Sequence, residues 1–141
     1  EIILDHYKNP RGKDLHVASL GQSHQVNPTC GDAVTVDVGI HADGTLAVAY
    51  SAQGCSISQA SASVMSELIN GKTPEQAAPI KAAFMELMRS KGQSEPNEDL
   101  LEDGVAFIGV SKFPARIKCA LISWMALADS QIKAELTTEM R

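Results

Sequence analysis

Ala33 to Tyr50 reads AVTVDVGIHADGTLAVAY, and this stretch decides the fold. Val34, Val36 and Val38 alternate with Thr35 and Asp37, so a strand over Ala33–Ile40 puts the valines on one face. Ala42-Asp43-Gly44 supplies turn chemistry. Alternation then resumes at Leu46, Val48 and Tyr50. Two alternating runs joined by such a turn predict an antiparallel β-hairpin. Cys30 lies just before the hairpin and Cys55 just after it. A hairpin starts and finishes at one end, so these two thiols are expected close together.

Working outward, the period changes at Ser56. Ile57, Ala60, Val64 and Leu68 share one helical face, and Gly71 is a plausible stop. Cys55 then stands at a helix N-terminus, where free N–H groups and the helix dipole favour negative charge. Thr73-Pro74-Glu75-Gln76 reads as a capping box with Pro at the first helical position. That helix is expected to reach about Lys91, with Pro79 in conflict with its early turns. Glu98 to Ile108 is a weaker helix. Phe113-Pro114 opens the last one, with Ile117, Leu121, Trp124 and Ala128 as its buried stripe. Arg116 precedes Cys119 by three residues and shares its helical face. Upstream, Ile2 to Tyr7 reads as a short helix ending at Asn9-Pro10. Arg11 to Thr29 contains Gly12, Gly21 and Pro28 with little periodicity, and is read as an extended arm or loop.

Composition excludes several classes of function. The 141 residues suit one domain, 1–141, able to bury roughly 70% of its unfolded surface without disulfide staples. Hydrophobic residues make up 44% and charged residues 21%, which argues against a disordered tail, a collagen-like chain or a coiled coil. No run approaches the ~18 apolar residues of a membrane span. No signal-peptide pattern is visible. The net charge is −5 and the longest biased stretch is acidic, which argues against a nucleic-acid partner. Glu95, Glu98, Asp99, Glu102 and Asp103 read as a solvated surface. Three cysteines, an odd number, argue against a disulfide framework and for a reducing cytoplasm.

The cysteines carry the chemistry. In Thr29-Cys30-Gly31-Asp32, Gly31 permits tight geometry between a thiol and a carboxylate that can both reach one ion. Gly54-Cys55 adds a second thiol beside a glycine, and Cys119 a third from a helix. Three thiols and a carboxylate form a tetrahedral set of the kind zinc accepts. Soft thiolates also suit iron–sulfur chemistry, whereas magnesium and calcium fit poorly. The competing reading is structural, because free cysteine often only fills core space. No C-x-x-C pair is present, so spacing alone leaves both readings open. His6, His16, His24 and His41 stand at no metal-ligand spacing from a cysteine. His41 is expected in solvent, and His6 to serve structure or partner docking.

Four motifs, in order, make the chain similar to a known family. They are Asp5-His6-Tyr7-Lys8-Asn9-Pro10-Arg11, Asn27-Pro28-Thr29-Cys30-Gly31-Asp32, Gly54-Cys55-Ser56-Ile57-Ser58 and Arg116-Ile117-Lys118-Cys119-Ala120. Together they resemble the IscU/SufU (NifU N-terminal-like) family of iron–sulfur cluster assembly proteins. The resemblance implies an α+β fold, a small antiparallel sheet covered on one side by helices. It implies Cys30, Asp32, Cys55 and Cys119 as metal ligands. In the IscU scaffold branch a histidine precedes the third cysteine; here Lys118 stands there, and lysine is a poor ligand at neutral pH. The long span from Cys55 to Cys119 and the Ser111-Lys112-Phe113-Pro114 approach resemble the SufU branch instead. That branch implies a zinc-binding sulfur-transfer protein partnering a SufS-type cysteine desulfurase and supplying downstream iron–sulfur assembly proteins. Cys30 would be the sulfur acceptor. Arg116 would offset negative charge at the metal or steer the freed Cys30, with Lys118 solvated. The alternatives are an IscU-type scaffold, building an iron–sulfur cluster on the three cysteines, and a purely structural zinc domain.

Overall fold

A computed structural model describes residues 1–28, 31–93 and 95–139. Its element order is α1 (Ile2–Lys8), β1 (Gly21–Asn27), β2 (Asp32–Ile40), β3 (Leu46–Gln53), α2 (Ser56–Ile69), α3 (Pro74–Arg89), α4 (Glu98–Leu101), a 3₁₀ segment (Glu102–Lys112) and α5 (Pro114–Glu139). The predicted hairpin is β2–β3, paired antiparallel from Ala33↔Gln53 to Ile40↔Leu46. Val34, Val36 and Val38 are fully buried, as their alternation requires. Among the described residues the strands form one antiparallel sheet in the order β1-β2-β3. α5 packs on β1 and β2, and α2 on β3. The fold is therefore α+β, with a small antiparallel sheet and its helical cover.

Two expectations need correction. The first concerns the arm from Arg11 to Thr29, which contains a strand. Gly21–Asn27 pairs with β2 in register from Gly21↔Val38 to Asn27↔Asp32. Its buried positions are Gly21 and Ser23 rather than valines. A Cβ at Gly21 would collide with the backbone of α5 at Ser130 and Ala134. The strand uses small residues to admit that helix, so no hydrophobic alternation shows. Val26, its large apolar residue, points outward and is exposed. Residues 11–20 of the arm are irregular and fasten to β3, with the Asp14 N–H donating to the Tyr50 carbonyl (2.7 Å).

The second correction lies after Asn97. The predicted helix over Glu98–Ile108 is a single α-turn followed by the 3₁₀ segment. Asn97 caps the turn, its side chain accepting from the N–H groups of Asp99 and Leu100. Glu102 then takes φ 45, a left-handed conformation that an α-helix does not continue through. The acidic stretch is correspondingly divided. Glu95, Glu98, Asp99 and Glu102 are exposed, whereas Asp103 is half-buried.

The other helices follow the sequence. Thr73 and Gln76 form the reciprocal capping box. Pro79 sits inside α3, where it forgoes a bond to the carbonyl four residues back. Both Glu75 and Pro79 are exposed, so water can satisfy that carbonyl. Phe84 stacks on Trp124 at 4.4 Å and meets Phe107 edge-on at 5.7 Å. These rings join α3, the 3₁₀ segment and α5 in one core. α2 and α5 are held close by Ser61, whose hydroxyl donates to the Ala120 carbonyl and accepts from the Trp124 indole. That crossing fixes α2 beside the first turns of α5.

Candidate metal centre

Three of the four expected ligands converge from three elements. Asp32 opens β2, Cys55 is the N-cap residue of α2, and Cys119 lies early in α5. One ligand atom from each lies within 4.8 Å of the other two. Hairpin geometry accounts for Asp32 and Cys55, and the α2–α5 crossing for Cys119. Cys30 falls outside the described residues. The chain beside it closes next to Asp32, with the Gly31 N–H donating to the Asn27 carbonyl (2.9 Å).

Asp32 is fully buried and Cys119 is 3% exposed, while Cys55 reaches the surface. A buried carboxylate is costly unless it is hydrogen-bonded or bound to a metal. Here Oδ1 accepts the Cys55 N–H at 2.9 Å. Oδ2 lies 3.8 Å from the Cys55 Sγ, on the side of the thiols. Gly54 makes this approach possible. Its φ is 127, and a Cβ there would strike the Asp32 carboxylate. Ser58 completes the turn, donating to the Cys55 carbonyl (3.0 Å) with its Oγ 3.8 Å from the Cys55 Sγ. One hard oxygen and two soft sulfurs fit a borderline ion such as zinc. They do not fit the all-oxygen shells of calcium or magnesium.

Around the mouth, Arg116 is exposed, and its side chain makes no hydrogen bond or ion pair with the other described residues. Lys118 is also exposed and stands outside the convergent group. His16, His24 and His41 are exposed and take no part in it. His24 bonds to Thr35 (2.7 Å), and His41 to Asn70 (3.1 Å).

His6 has the structural role allowed for it, but is built in more deeply than its place in a short terminal helix suggests. Fully buried, it sets Nδ1 2.7 Å from Ser63 Oγ and Nε2 2.8 Å from Asp103 Oδ2. Glu67 comes within 3.8 Å of the same Nε2. Ser63 Oγ also receives the Arg11 N–H (2.8 Å), so one hydroxyl meets both α1 and the turn after it. Arg11 in turn bridges Asp5 (2.8 Å) and Glu67 (3.4 Å), and this contact, helped by Asn9, holds the Asp5 carboxyl below its usual range. These contacts lock α1 and the Asn9-Pro10-Arg11 turn onto α2 and the 3₁₀ segment.

Sequence reading missed the second layer of the centre. Ser58 had a usable signal, a hydroxyl three residues after a helix-capping position. Gln59 and Lys13, whose bond joins residues 46 apart, had none.

With its fold and site in view, the chain belongs to the NifU-like N-terminal domain family, which matches residues 1–120. Over 135 residues it is 42% identical to the zinc-dependent sulfurtransferase SufU of Bacillus subtilis (strain 168), covering 96% of this chain and 90% of that protein. Over 132 residues it is 35% identical to the iron–sulfur cluster assembly scaffold protein IscU of Streptococcus pyogenes serotype M1, covering 92% and 79%. Among solved structures it resembles a putative iron–sulfur cluster assembly scaffold protein for the SUF system from Fervidobacterium islandicum AW-1. That match has TM-score 0.77 and 32% identity, over 92% of this chain and 93% of that one.

Proposed function

We propose that this chain is a zinc-binding sulfur-transfer protein of iron–sulfur cluster biogenesis, acting in the cytoplasm with a SufS-type cysteine desulfurase. The observation that carries the reading is the convergence of Asp32, Cys55 and Cys119 at one end of the hairpin, with two ligands buried and one at the surface. Likeness to a relative named as a zinc-dependent sulfurtransferase supports it. Cys30, Asp32, Cys55 and Cys119 would hold the metal. Zinc bound there keeps the thiols deprotonated and shielded from oxidation.

Sulfur acceptance falls to Cys30. Its thiolate attacks the outer sulfur of the desulfurase persulfide, the partner's S–S bond breaks, and a new S–S bond forms on Cys30. The partner's cysteine leaves as a thiolate and takes up a proton, so no external oxidant or reductant is consumed. Arg116, exposed in the first turn of the Cys119 helix, is available to steer the anionic Cys30 or the incoming partner. No helix of the described residues is long and apolar enough to cross a membrane, consistent with a partner met in solution.

Elemental analysis of protein purified without chelator tests the assignment. About one zinc per chain and little iron are expected. Cys30→Ala should then abolish stimulation of the desulfurase. Iron with matching acid-labile sulfide would instead favour the scaffold reading, which the IscU relatives keep in play and the exposed Lys118 weighs against. Full stimulation by Cys30→Ala would remove Cys30 as the acceptor.

A further inference from the structure

The peptide before Cys55 is the hinge of the centre. Gly54 must keep its φ of 127 for the Asp32 carboxylate to approach, and the next N–H, that of Cys55, holds that carboxylate. The Gly54 carbonyl is itself held. Gln59, one turn into α2, donates its side-chain Nε2 back to that oxygen at 2.9 Å. The other end of the same amide, Oε1, lies 3.4 Å from the Lys13 ammonium. Lys13 belongs to an anchored segment. Its neighbour Asp14 donates its N–H to the Tyr50 carbonyl, and the Arg11 N–H is bound to Ser63.

This amide does nothing for the helix it belongs to. A helix N-terminus needs acceptors for its free N–H groups. Cys55 supplies no side-chain cap, and Gln59 offers the Gly54 carbonyl a donor. Its effect falls on the ligand loop alone. Lys13, tethered by it, brings a cation to the peptide adjoining a cluster of anionic ligands, a place the sequence assigned to Arg116.

We propose that Gln59 is a positioning residue of the metal centre, clamping the Gly54 carbonyl and tethering Lys13 to the ligand loop. It thereby keeps Cys55 and Asp32 in register for the ion. This rests on the metal-binding reading above.

The test uses the full chain loaded with zinc or with cobalt(II), as parent, Gln59→Leu and Gln59→Glu. Both variants lose the donor to Gly54; the glutamate keeps an acceptor for Lys13. Zinc release to a chromogenic chelator should quicken about fivefold or more in both, the equivalent of one hydrogen bond. The visible bands of the cobalt form should shift, while the Tm of the metal-free protein stays that of the parent. Unchanged zinc release together with unchanged cobalt bands overturns the proposal. So does an equal fall in Tm with and without metal, which would make Gln59 a prop of the fold. A parent chain that retains neither metal sinks the metal-binding reading itself, and this inference with it.

Discussion

Gly54→Ala gives the sharpest test of how the centre is built. The glycine's φ of 127 lies where an L-residue is strained, at about 1–3 kcal/mol. The added methyl would also lie 2.8 Å from the Asp32 Cα and 2.9 Å from its Cγ, and closer still to Oδ1. Backbone cannot yield easily there, because Asp32 is paired with Asn27 of β1 and the next residue, Ala33, is paired with β3. The carboxylate must swing away and lose its bond from the Cys55 N–H. A hydrogen bond to a charged group contributes about 1.5–3 kcal/mol. The sum is about 4 kcal/mol, a large part of the 5–15 kcal/mol that holds a typical domain together. For a chain of this size that is a fall in Tm of roughly 12–16 °C. A thermal melt of metal-free protein reads the fold, and zinc retention against a chelator reads the site. The double variant Gly54→Ala/Asp32→Ala separates the causes, since removing the carboxylate relieves the clash with its oxygens and leaves the backbone strain. Its loss should fall short of the sum of the single losses by about 1–2 kcal/mol. A Gly54→Ala protein with the parent's Tm and zinc retention would refute the reasoning. Strict additivity in the cycle would refute the part assigned to Asp32.

His6→Gln should cost about 3 kcal/mol in denaturant unfolding, through the lost bonds to Ser63 and Asp103, while zinc content holds; a change below about 0.5 kcal/mol would show that α1 docks without it. Tyr50 titrates unusually high, its hydroxyl pushed up to about 12 by burial, with Ser63 pulling the other way. A raised acid stabilises the fold fully below its unfolded value near 10, and that contribution is lost as pH rises through 12. Tyr50→Phe should therefore flatten the alkaline fall in stability between pH 10 and 12 by about 2 kcal/mol, allowing for partial solvent screening. Taking the difference of the two profiles isolates Tyr50 from Lys81, whose value is lowered by burial and which works in the opposite sense; parallel profiles would remove Tyr50 as the cause.

What was legible in the sequence had a period or a local signature. The β2–β3 hairpin showed because every buried position of Val34, Val36 and Val38 is branched and apolar. The start of α3 showed because its capping box spans four consecutive residues. β1 stayed hidden because the same close approach that makes it a sheet strand under α5 requires Gly21 and Ser23 where valines would otherwise advertise it. The break at Glu102 stayed hidden because a single left-handed residue other than glycine or asparagine leaves no compositional mark. At the site, hairpin logic paired Cys55 with Cys30, and the spacing of two added Asp32, which the structure sets beside Cys55. Cys119 needed the family resemblance, since only the packing of α5 across α2 brings it to the hairpin end. The clasp at His6 depends on a contact 57 residues away in sequence, and no periodicity records such a pairing.

The distribution of the ligands also bears on how a transfer protein can hold a metal and still react. Asp32 comes from the sheet, Cys55 from the start of α2 and Cys119 from α5, so an ion among them would add to the few hydrogen bonds, Cys55 to Asp32 and Ser61 to Ala120 and Trp124, that already link these elements there. Metal binding of that kind contributes directly to folding stability. Asp32 and Cys119 are buried and cannot leave without disturbing the core; Cys55 is exposed, yet its backbone is pinned by Asp32 and Ser58. On the proposed function, Cys30 is the ligand that exchanges while the other three hold the ion, so one metal would be structural through Asp32, Cys55 and Cys119 and reactive through Cys30.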